Sequence, residues 1–176
     1  MFSNKSGELL RLATVHRIAG RAVTLFKHSL DDRYRGVDAI STHGGVSMEA
    51  EPVATSSEVS LLAVGADVVA IDEAQFFDEG LAEVAAQLIE GGTTVFVAGL
   101  DRNFKGEPFG PMPALLAMAD DVMKLKAVCM RCRSLNGTMT QRLIDGRPAS
   151  RNSPVIQVGA AEAYEARCRD CHEVPG

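Results

Sequence analysis

The sequence lacks the features that mark a membrane protein or a nucleic-acid-binding protein. Its 176 residues contain no apolar run long enough to span a bilayer, and no internal repeat or low-complexity segment. The basic residues are scattered and the formal net charge is −5, which argues against a broad surface for DNA or RNA. We therefore expect a soluble, cytoplasmic protein with one ordinary core and a small additional part.

No cysteine stands alone in the sequence. The four cysteines form two Cys-x-x-Cys pairs, Cys129/Cys132 and Cys168/Cys171, which can supply the four soft ligands of a closed and therefore structural zinc site. Two disulfides or a redox dithiol are the alternative, but disulfides need an oxidising compartment and no apolar signal segment follows the first residue. His172 is a spare ligand beside Cys171. The spacing favours a structural zinc ion.

Short apolar runs alternate with helical patterns before the first cysteine. Four runs favour strands covered on both faces, as in a parallel sheet: Ala22–Phe26, Val68–Ile71, Thr94–Ala98 and Val122–Val128. Three segments have the apolar spacing of helices: Glu8–Ile18, Leu81–Ile89 and Met112–Ala119. The segment between residues 31 and 58 has little periodicity and is predicted as a long loop or irregular hairpin. The alternation predicts an α/β domain over residues 1–128, followed by a zinc-binding subdomain over residues 129–176.

Two carboxylates follow the second of these predicted strands directly. Functional groups collect at the carboxyl ends of parallel strands, and Asp72 and Glu73 come immediately after Ile71. This is the layout of a Walker B element, in which an aspartate approaches Mg²⁺ and a neighbouring glutamate can act as a general base. A strand that ends in a solvated acidic turn is the alternative.

Lys5 and Ser6 stand at the start of the first predicted helix. Backbone N–H groups and the helix dipole favour phosphate there, lysine can reach the β- and γ-oxygens of a nucleotide, and serine can bind Mg²⁺. The residues match only the last third of the motif G-x-x-x-x-G-K-[ST], because the first glycine is absent and Asn4 replaces the last one. A capped helix start is the alternative.

Taken in order, motifs along essentially the whole chain resemble the thymidine kinases of bacteria, animals and poxviruses. The motifs are Met1-Phe-Ser-Asn-Lys-Ser6, Asp31-Asp-Arg-Tyr34, Ser41-Thr-His43, Asp72-Glu-Ala-Gln-Phe-Phe77, Gly99-Leu-Asp-Arg-Asn-Phe104, Glu107-Pro-Phe-Gly110, the two cysteine pairs, Thr140-Gln-Arg-Leu143 and the segment from Gly159 to Cys168. The resemblance implies a P-loop-type, mainly parallel sheet and transfer of the γ-phosphoryl group of ATP to the 5′-hydroxyl of thymidine. It also implies Mg²⁺ with ATP, a structural Zn²⁺, and a homo-oligomer, commonly a tetramer, that thymidine triphosphate inhibits.

The resemblance also assigns roles to individual residues. Glu73 corresponds to the general base that takes the proton of the 5′-hydroxyl. The residues associated with ATP, its phosphates and Mg²⁺ are Ser3, Asn4, Lys5, Ser6, Asp31, Asp32, Arg33, Asp72 and Gln75. The residues associated with thymidine are Met1, Phe76, Leu100, Phe104, Phe109, Val155, Ile156, Gln157, Val158, Gly159 and Tyr164. Core packing is the alternative for each phenylalanine and is preferred for Phe77. The zinc-anchored segment corresponds to a lasso that closes over the nucleoside.

The first residues depart from the family pattern. The family has an apolar strand and Gly-Pro before the methionine that is Met1 here, and that strand is expected beside the strand ending at Ile71. Asn4 stands for a glycine that lets the backbone approach phosphate, although asparagine tolerates positive φ better than other side chains do. A catalytically impaired relative that binds nucleoside and zinc is therefore an alternative. Two further alternatives are a kinase for another deoxynucleoside and a zinc-ribbon protein that acts as an interaction module.

Overall fold

Two units make up the part of the chain that the structure describes. The structure is a computed structural model, and it describes residues 1–30, 39–41, 47–156 and 162–176. The sheet unit comprises Lys5–Leu100 and Gly110–Asp120, and the cysteine unit comprises Met1–Asn4, Asp101–Phe109 and Asp121–Gly176. The predicted division into domains after residue 128 stays a prediction.

The sheet unit alternates strands and helices along the chain. Its strands are β1 (Val23–His28), β2 (Ala39–Ser41), β3 (Ser47–Glu49), β4 (Glu51–Val53), β5 (Val68–Asp72) and β6 (Thr94–Val97). Its helices are α1 (Lys5–Ile18), α2 (Ser56–Leu62), α3 (Leu81–Glu90) and α4 (Met112–Met118). The main sheet has the order β4–β1–β5–β6, and every pair in it is parallel. The predicted α/β fold with a mainly parallel sheet and flanking helices is confirmed.

Two separate cores lie on the sheet unit's main sheet, because successive residues of a strand point to opposite faces. One core joins α2, α3 and α4 to the sheet through Val59, Leu81, Ala85, Met112, Leu115, Phe26, Val53, Val69 and Ile71. The other joins α1 to the sheet through Leu9, Leu10, Ala13, Leu25 and Ala70. Burial on both faces explains why the strands are continuously apolar rather than alternating.

The neighbours of β5 correct one expectation. The resemblance places a further family strand beside the strand that ends at Ile71, and this placement is wrong. One edge of β5 pairs with β1 and the other pairs with β6. Within the described residues, the outer edges of the main sheet belong to β4 and β6.

The segment predicted as a loop or irregular hairpin has more regular structure than expected. β2 and β3 form the antiparallel hairpin, but β4 joins the main sheet and α2 follows it. The Thr55 hydroxyl accepts a hydrogen bond from the Glu58 N–H, and the Glu58 carboxylate accepts one from the Thr55 N–H. This Thr-x-x-Glu spacing is a capping-box signature that identifies the helix from the sequence. Residues 31–38 and 42–46 lie outside the described residues.

The cysteine unit contains a small antiparallel sheet. Its strands are β7 (Met139–Ile144), β8 (Arg147–Pro148) and β9 (Glu162–Arg167), in the order β8–β7–β9. β7 pairs with β9 along its whole length. No helix in the described ranges of either unit is long and apolar enough to cross a bilayer.

The strand predicted over Val122–Val128 is wrong. This stretch is not part of a sheet, and only Ala127 forms a bridge, with Gly137. Val122 is 47% exposed and Met123 is 65% exposed. Two lysines interrupt the apolar run, so the segment lacks the continuous apolar surface that a strand covered on both faces needs.

Candidate functional site

A tight turn after β5 carries the two predicted carboxylates. All five residues of β5 are buried, Asp72 is 3% exposed and Glu73 is 7% exposed. Glu73 takes a left-handed backbone conformation (φ 53°, ψ 41°) and precedes a short 3-10 helix, Ala74–Phe76. Burying a charge and holding a non-glycine residue in a left-handed conformation both cost free energy. They persist only where the surrounding structure compensates for that cost. The turn is therefore not the solvated acidic turn that the residues alone allow.

Gln75 fixes the orientation of the Glu73 carboxylate. Its side-chain amide donates to Glu73 with an Nε2–Oε2 distance of 2.5 Å, while its Oε1 accepts the backbone N–H of Leu100 at 2.9 Å. Because the Leu100 N–H requires an acceptor, the oxygen of the amide faces Leu100 and the NH₂ group faces Glu73. Gln75 is 2% exposed, so water does not compete for these bonds.

Two glycines let neighbouring segments approach this turn. Gly110 has a φ of +50°, and a Cβ atom there would lie 2.4 Å from the carbonyl oxygen of Gln75. A Cβ atom at Gly99 would lie 2.6 Å from the Met112 sulfur and 3.0 Å from the Gln75 Oε1. Gly110 has no space for a side chain because it faces backbone, whereas a side chain at Gly99 would have to displace the ends of the Met112 and Gln75 side chains. Both glycines belong to motifs quoted above, but the sequence alone does not reveal that they pack against Gln75.

Asp72 lies beside the start of α1. The Ser6 hydroxyl hydrogen-bonds to the Asp72 carboxylate, and the charge of Lys5 acts on it. Burial, and then the charge of Glu73, nevertheless raise the pKa of Asp72 to about 6. A bound cation reverses such a shift, and a carboxylate with a hydroxyl is a donor set that suits Mg²⁺. Two motifs that are each ambiguous in the sequence thus meet in one place.

The four cysteines of the cysteine unit form one cluster. The Sγ atoms of Cys129, Cys132, Cys168 and Cys171 all lie within 4.8 Å of one another, and none is in a disulfide. A tetrahedron with Zn–S bonds of about 2.3 Å has edges of about 3.8 Å. The Cys132 and Cys168 sulfurs are 3.7 Å apart. The cluster therefore fits a zinc ion, and it does not fit the alternative of two disulfides.

Hydrogen bonds favour ionisation of the Cys129 thiol in the cluster. The backbone N–H of Cys132 is the main cause that lowers the pKa of the Cys129 thiol to about 6. The thiol of Cys171 shares a hydrogen bond with Cys168, which raises the pKa of Cys171 to about 12. A metal ion takes the place of such shared protons, because all four ligands bind it as thiolates. The Met130 N–H donates to the Ala166 carbonyl at 2.8 Å and so joins the two cysteine pairs.

His172 lies outside the cysteine cluster. Its Nε2 donates to the backbone carbonyl of Phe104 at 2.8 Å. The residue that follows the last cysteine of the cluster therefore fixes the backbone of a predicted pocket residue. The four-cysteine set is complete without the histidine.

Replacing His172 with alanine is expected to leave one zinc ion per chain, because four thiolates already close the site. The loss of the hydrogen bond to Phe104 should lower the free energy of unfolding by about 1 kcal/mol. Zinc analysis of the purified variant, together with denaturant unfolding, measures both effects. A variant that has lost its zinc would identify His172 as a ligand.

Phe104 is held by the loop that carries it. The Asn103 Oδ1 accepts the backbone N–H groups of Lys105, at 2.8 Å, and Glu107, at 3.2 Å. Phe104 is 3% exposed, and the guanidinium carbon of Arg142 lies 5.2 Å and the Lys105 Nζ 5.6 Å from the centroid of its ring. Cations at these distances are attracted to an aromatic ring. The loop therefore presents Phe104 in a defined position.

One family model covers both the turn after β5 and the cysteine cluster. The family model described as thymidine kinase matches residues 1–172. The chain belongs to the thymidine kinase family. The matched range includes the start of α1, the turn after β5 and all four cysteines, so the motifs quoted from the sequence lie within a single family match.

The residues that the thymidine kinase family predicts for the site divide between the two units. The sheet unit contains Lys5, Ser6, Asp72, Glu73, Gln75, Phe76 and Leu100. The cysteine unit contains Met1, Ser3, Asn4, Phe104, Phe109, Val155, Ile156, Tyr164 and the four cysteines. The predictions for Asp31, Asp32, Arg33, Gln157, Val158 and Gly159 lie outside the described residues. Their assignments to ATP and thymidine stay predictions.

Asn4 adopts a conformation that glycine favours. Its φ is 61°, in the left-handed region that asparagine enters more readily than most residues with a side chain. Holding a non-glycine residue there costs about 1–2 kcal/mol. The replacement of the thymidine kinase glycine by asparagine is therefore compatible with a left-handed turn immediately before α1.

Phe77 and His28 are in contact with each other in the sheet unit. Phe77 is 4% exposed and packs in the core, as preferred from the sequence. The His28 ring stands at 88° to it, with centroids 4.7 Å apart. The His28 Nδ1 accepts the Leu30 N–H and its Nε2 faces the Ala54 carbonyl, each at 3.1 Å. Only a neutral imidazole can accept at one nitrogen and donate at the other.

Acidification is expected to destabilise the sheet unit through His28. Burial lowers the pKa of His28, and the hydrogen bond to the Ala54 carbonyl and the charges of Asp78 and Glu58 oppose this only in part. The unfolded chain therefore binds a proton first, so the stabilisation is present above the ordinary histidine pKa of about 6.5 and is lost as the pH falls below it. The melting temperatures of the wild type and of His28→Asn should converge between about pH 7.5 and pH 5.5. A difference that stays constant over this range would contradict the prediction.

Proposed function

We propose that this chain is an ATP-dependent kinase that phosphorylates the 5′-hydroxyl of thymidine, giving thymidine monophosphate. One observation carries the proposal. A buried glutamate, Glu73, is oriented by Gln75 directly beside Asp72, whose carboxylate meets Ser6 at the start of α1. A base next to a site for phosphate and Mg²⁺ is the arrangement that phosphoryl transfer to a hydroxyl requires.

Each side chain has a separate task in the proposed reaction. Glu73 takes the proton of the 5′-hydroxyl while the hydroxyl oxygen forms a bond to the γ-phosphorus of ATP. The bond between the γ-phosphorus and the oxygen that bridges it to the β-phosphorus breaks, and ADP is released. Lys5 neutralises charge on the β- and γ-phosphates. Asp72 and Ser6 would hold Mg²⁺, which when bound with ATP supplies further neutralisation of the phosphate charge. Positioning and charge neutralisation make up most of the catalysis in such reactions.

The zinc ion is proposed to be structural. Four cysteine ligands keep no position open for a substrate. The ion would instead order the unit that carries Phe104, Tyr164 and the segment beginning at Val155. A short segment that cannot build its own core is stabilised in this way by a metal ion.

The test is formation of thymidine monophosphate by the zinc-loaded chain with ATP and Mg²⁺. Thymidine, deoxyuridine and deoxycytidine are offered separately, and products are separated by chromatography. Faster phosphorylation of thymidine than of the others supports the proposal, and preference for another nucleoside would reassign the substrate. Thymidine binding by the folded, zinc-loaded chain without turnover would favour the catalytically impaired relative. The tetramer, the inhibition by thymidine triphosphate and the cytoplasmic location stay predictions; light scattering tests the first of them.

A further inference from the structure

Arg142 is a large charged residue whose side chain is fully buried, with 0% of it exposed. It lies on β7, within the Thr140-Gln-Arg-Leu143 motif, and the proposed reaction assigns no role to it. Removing a guanidinium group from water is costly, because protein groups must replace its hydration. The contacts of Arg142 therefore indicate what the residue does.

Arg142 contacts two segments that are distant from it in sequence. Its Nη1 donates to the backbone carbonyl of Pro154 at 2.5 Å. Its guanidinium carbon lies 5.2 Å from the centroid of the Phe104 ring. On β9, Tyr164 is the residue directly opposite Arg142, and side chains of such cross-strand partners lie on the same face of a sheet.

These neighbours coincide with the residues predicted for thymidine. Phe104 and Tyr164 are two of them, and Pro154 immediately precedes the predicted segment that begins at Val155. All lie in the cysteine unit. We propose that Arg142 is a positioning residue for nucleoside binding, which fixes the Phe104 ring and the Pro154 carbonyl in a single arrangement beside Tyr164. The inference rests on the proposed function.

The two contacts of Arg142 suit a guanidinium group better than an ammonium group. The planar guanidinium can lie against an aromatic ring and at the same time donate in its own plane to a carbonyl. A lysine ammonium is a compact charge that cannot do both from the same position. The Ala149 N–H donates to the Arg142 carbonyl at 3.0 Å, so the backbone that carries the side chain is fixed as well.

The test compares Arg142→Lys and Arg142→Met with the control Arg147→Lys, which alters an exposed arginine on the neighbouring strand β8. We expect the thymidine KM of both Arg142 variants to rise about 10- to 100-fold, the effect of losing a charge-assisted hydrogen bond. The ATP KM and kcat should change less than about threefold, because uniform binding of the nucleoside is what is lost. The control should match the wild type in every parameter.

Hydrogen exchange gives a second readout that needs no activity. Amides between residues 149 and 156 should exchange faster in Arg142→Lys than in the wild type or Arg147→Lys. Melting temperature and zinc content identify folded protein, and Arg142→Lys serves where Arg142→Met is unstable. A folded variant with an unchanged thymidine KM, or with an equal rise in the ATP KM, would overturn the inference. If the wild type does not phosphorylate thymidine, the proposed function is wrong, but the role of Arg142 can still be tested by hydrogen exchange. Unchanged exchange in Arg142→Lys would then overturn that role.

Discussion

Replacing Glu73 with glutamine is expected to lower kcat for thymidine phosphorylation by about 10²- to 10⁴-fold. Glutamine keeps the size of the side chain and still offers an oxygen to the Gln75 amide, but it cannot accept the proton of the 5′-hydroxyl. Thymidine affinity, measured by calorimetry, should remain within a few-fold of the wild type. The loss is therefore confined to the chemical step.

Stability separates this effect from damage to the fold. Glu73 and Asp72 are adjacent buried carboxylates, and removing one of two like charges relieves their repulsion. Glutamine also keeps an acceptor for the Gln75 amide, so the melting temperature of Glu73→Gln should stay close to that of the wild type. Glu90→Gln, at the exposed end of α3, is the matched control and should have wild-type kinetics. A Glu73→Gln enzyme with an unchanged kcat would eliminate Glu73 as the base.

Replacing Cys168 with serine is expected to remove the zinc ion and raise the thymidine KM more than about tenfold. Structural zinc sites contribute an apparent binding free energy of about 10–16 kcal/mol, and a serine hydroxyl does not replace a thiolate ligand. Cys168 is 7% exposed, so the new hydroxyl would also be buried. Zinc analysis and steady-state kinetics on the same preparation measure the two effects together.

Asp170→Asn is the control for the Cys168 variant. Asp170 is exposed and lies between the two cysteines of the second pair, so the substitution alters the same short segment without removing a ligand. It should keep one zinc ion and a wild-type thymidine KM. If Cys168→Ser loses its zinc and keeps its kinetics, the segment must be held by other contacts, and the structural role proposed for the metal is wrong.

The turn after β5 illustrates what the sequence can predict. A strand buried on both faces must be apolar throughout, and the carboxyl ends of parallel strands are where polar groups collect. The sequence alone therefore assigns Asp72 and Glu73 to one edge of a sheet. The four cysteines are a second such case, because the ligand number and spacing of a zinc site are restrictive.

Other parts of the site depend on contacts that no local pattern encodes. Gln75 bonds to Leu100, which is 25 residues away, and His172 bonds to Phe104 at a separation of 68 residues. Periodicity describes only which face of an element is covered, so it cannot pair such residues. The burial of Arg142 was missed for the same reason, since a strand pattern gives no warning that a charged side chain will be enclosed.

The wrong strand at residues 122–128 has a different origin. Its apolar content resembles that of the true strands, but Lys124 and Lys126 alternate with the buried or half-buried Leu125 and Ala127. That alternation is typical of an extended segment covered on one face only. A count of apolar residues does not detect this alternation, whereas the period of the pattern distinguishes a strand covered on both faces from a segment covered on one.

The left-handed backbone at Glu73 limits how this chain can be redesigned for heat resistance. Glycine at that position would relieve about 1–2 kcal/mol of backbone strain, but it would also leave the buried Gln75 amide without the acceptor that Glu73 provides. A library selected only for melting temperature responds to the balance of these two effects, and nothing in such a selection retains the proposed catalytic base. Screens that couple survival at high temperature to phosphorylation would retain Glu73 and direct the improvements to the rest of the molecule.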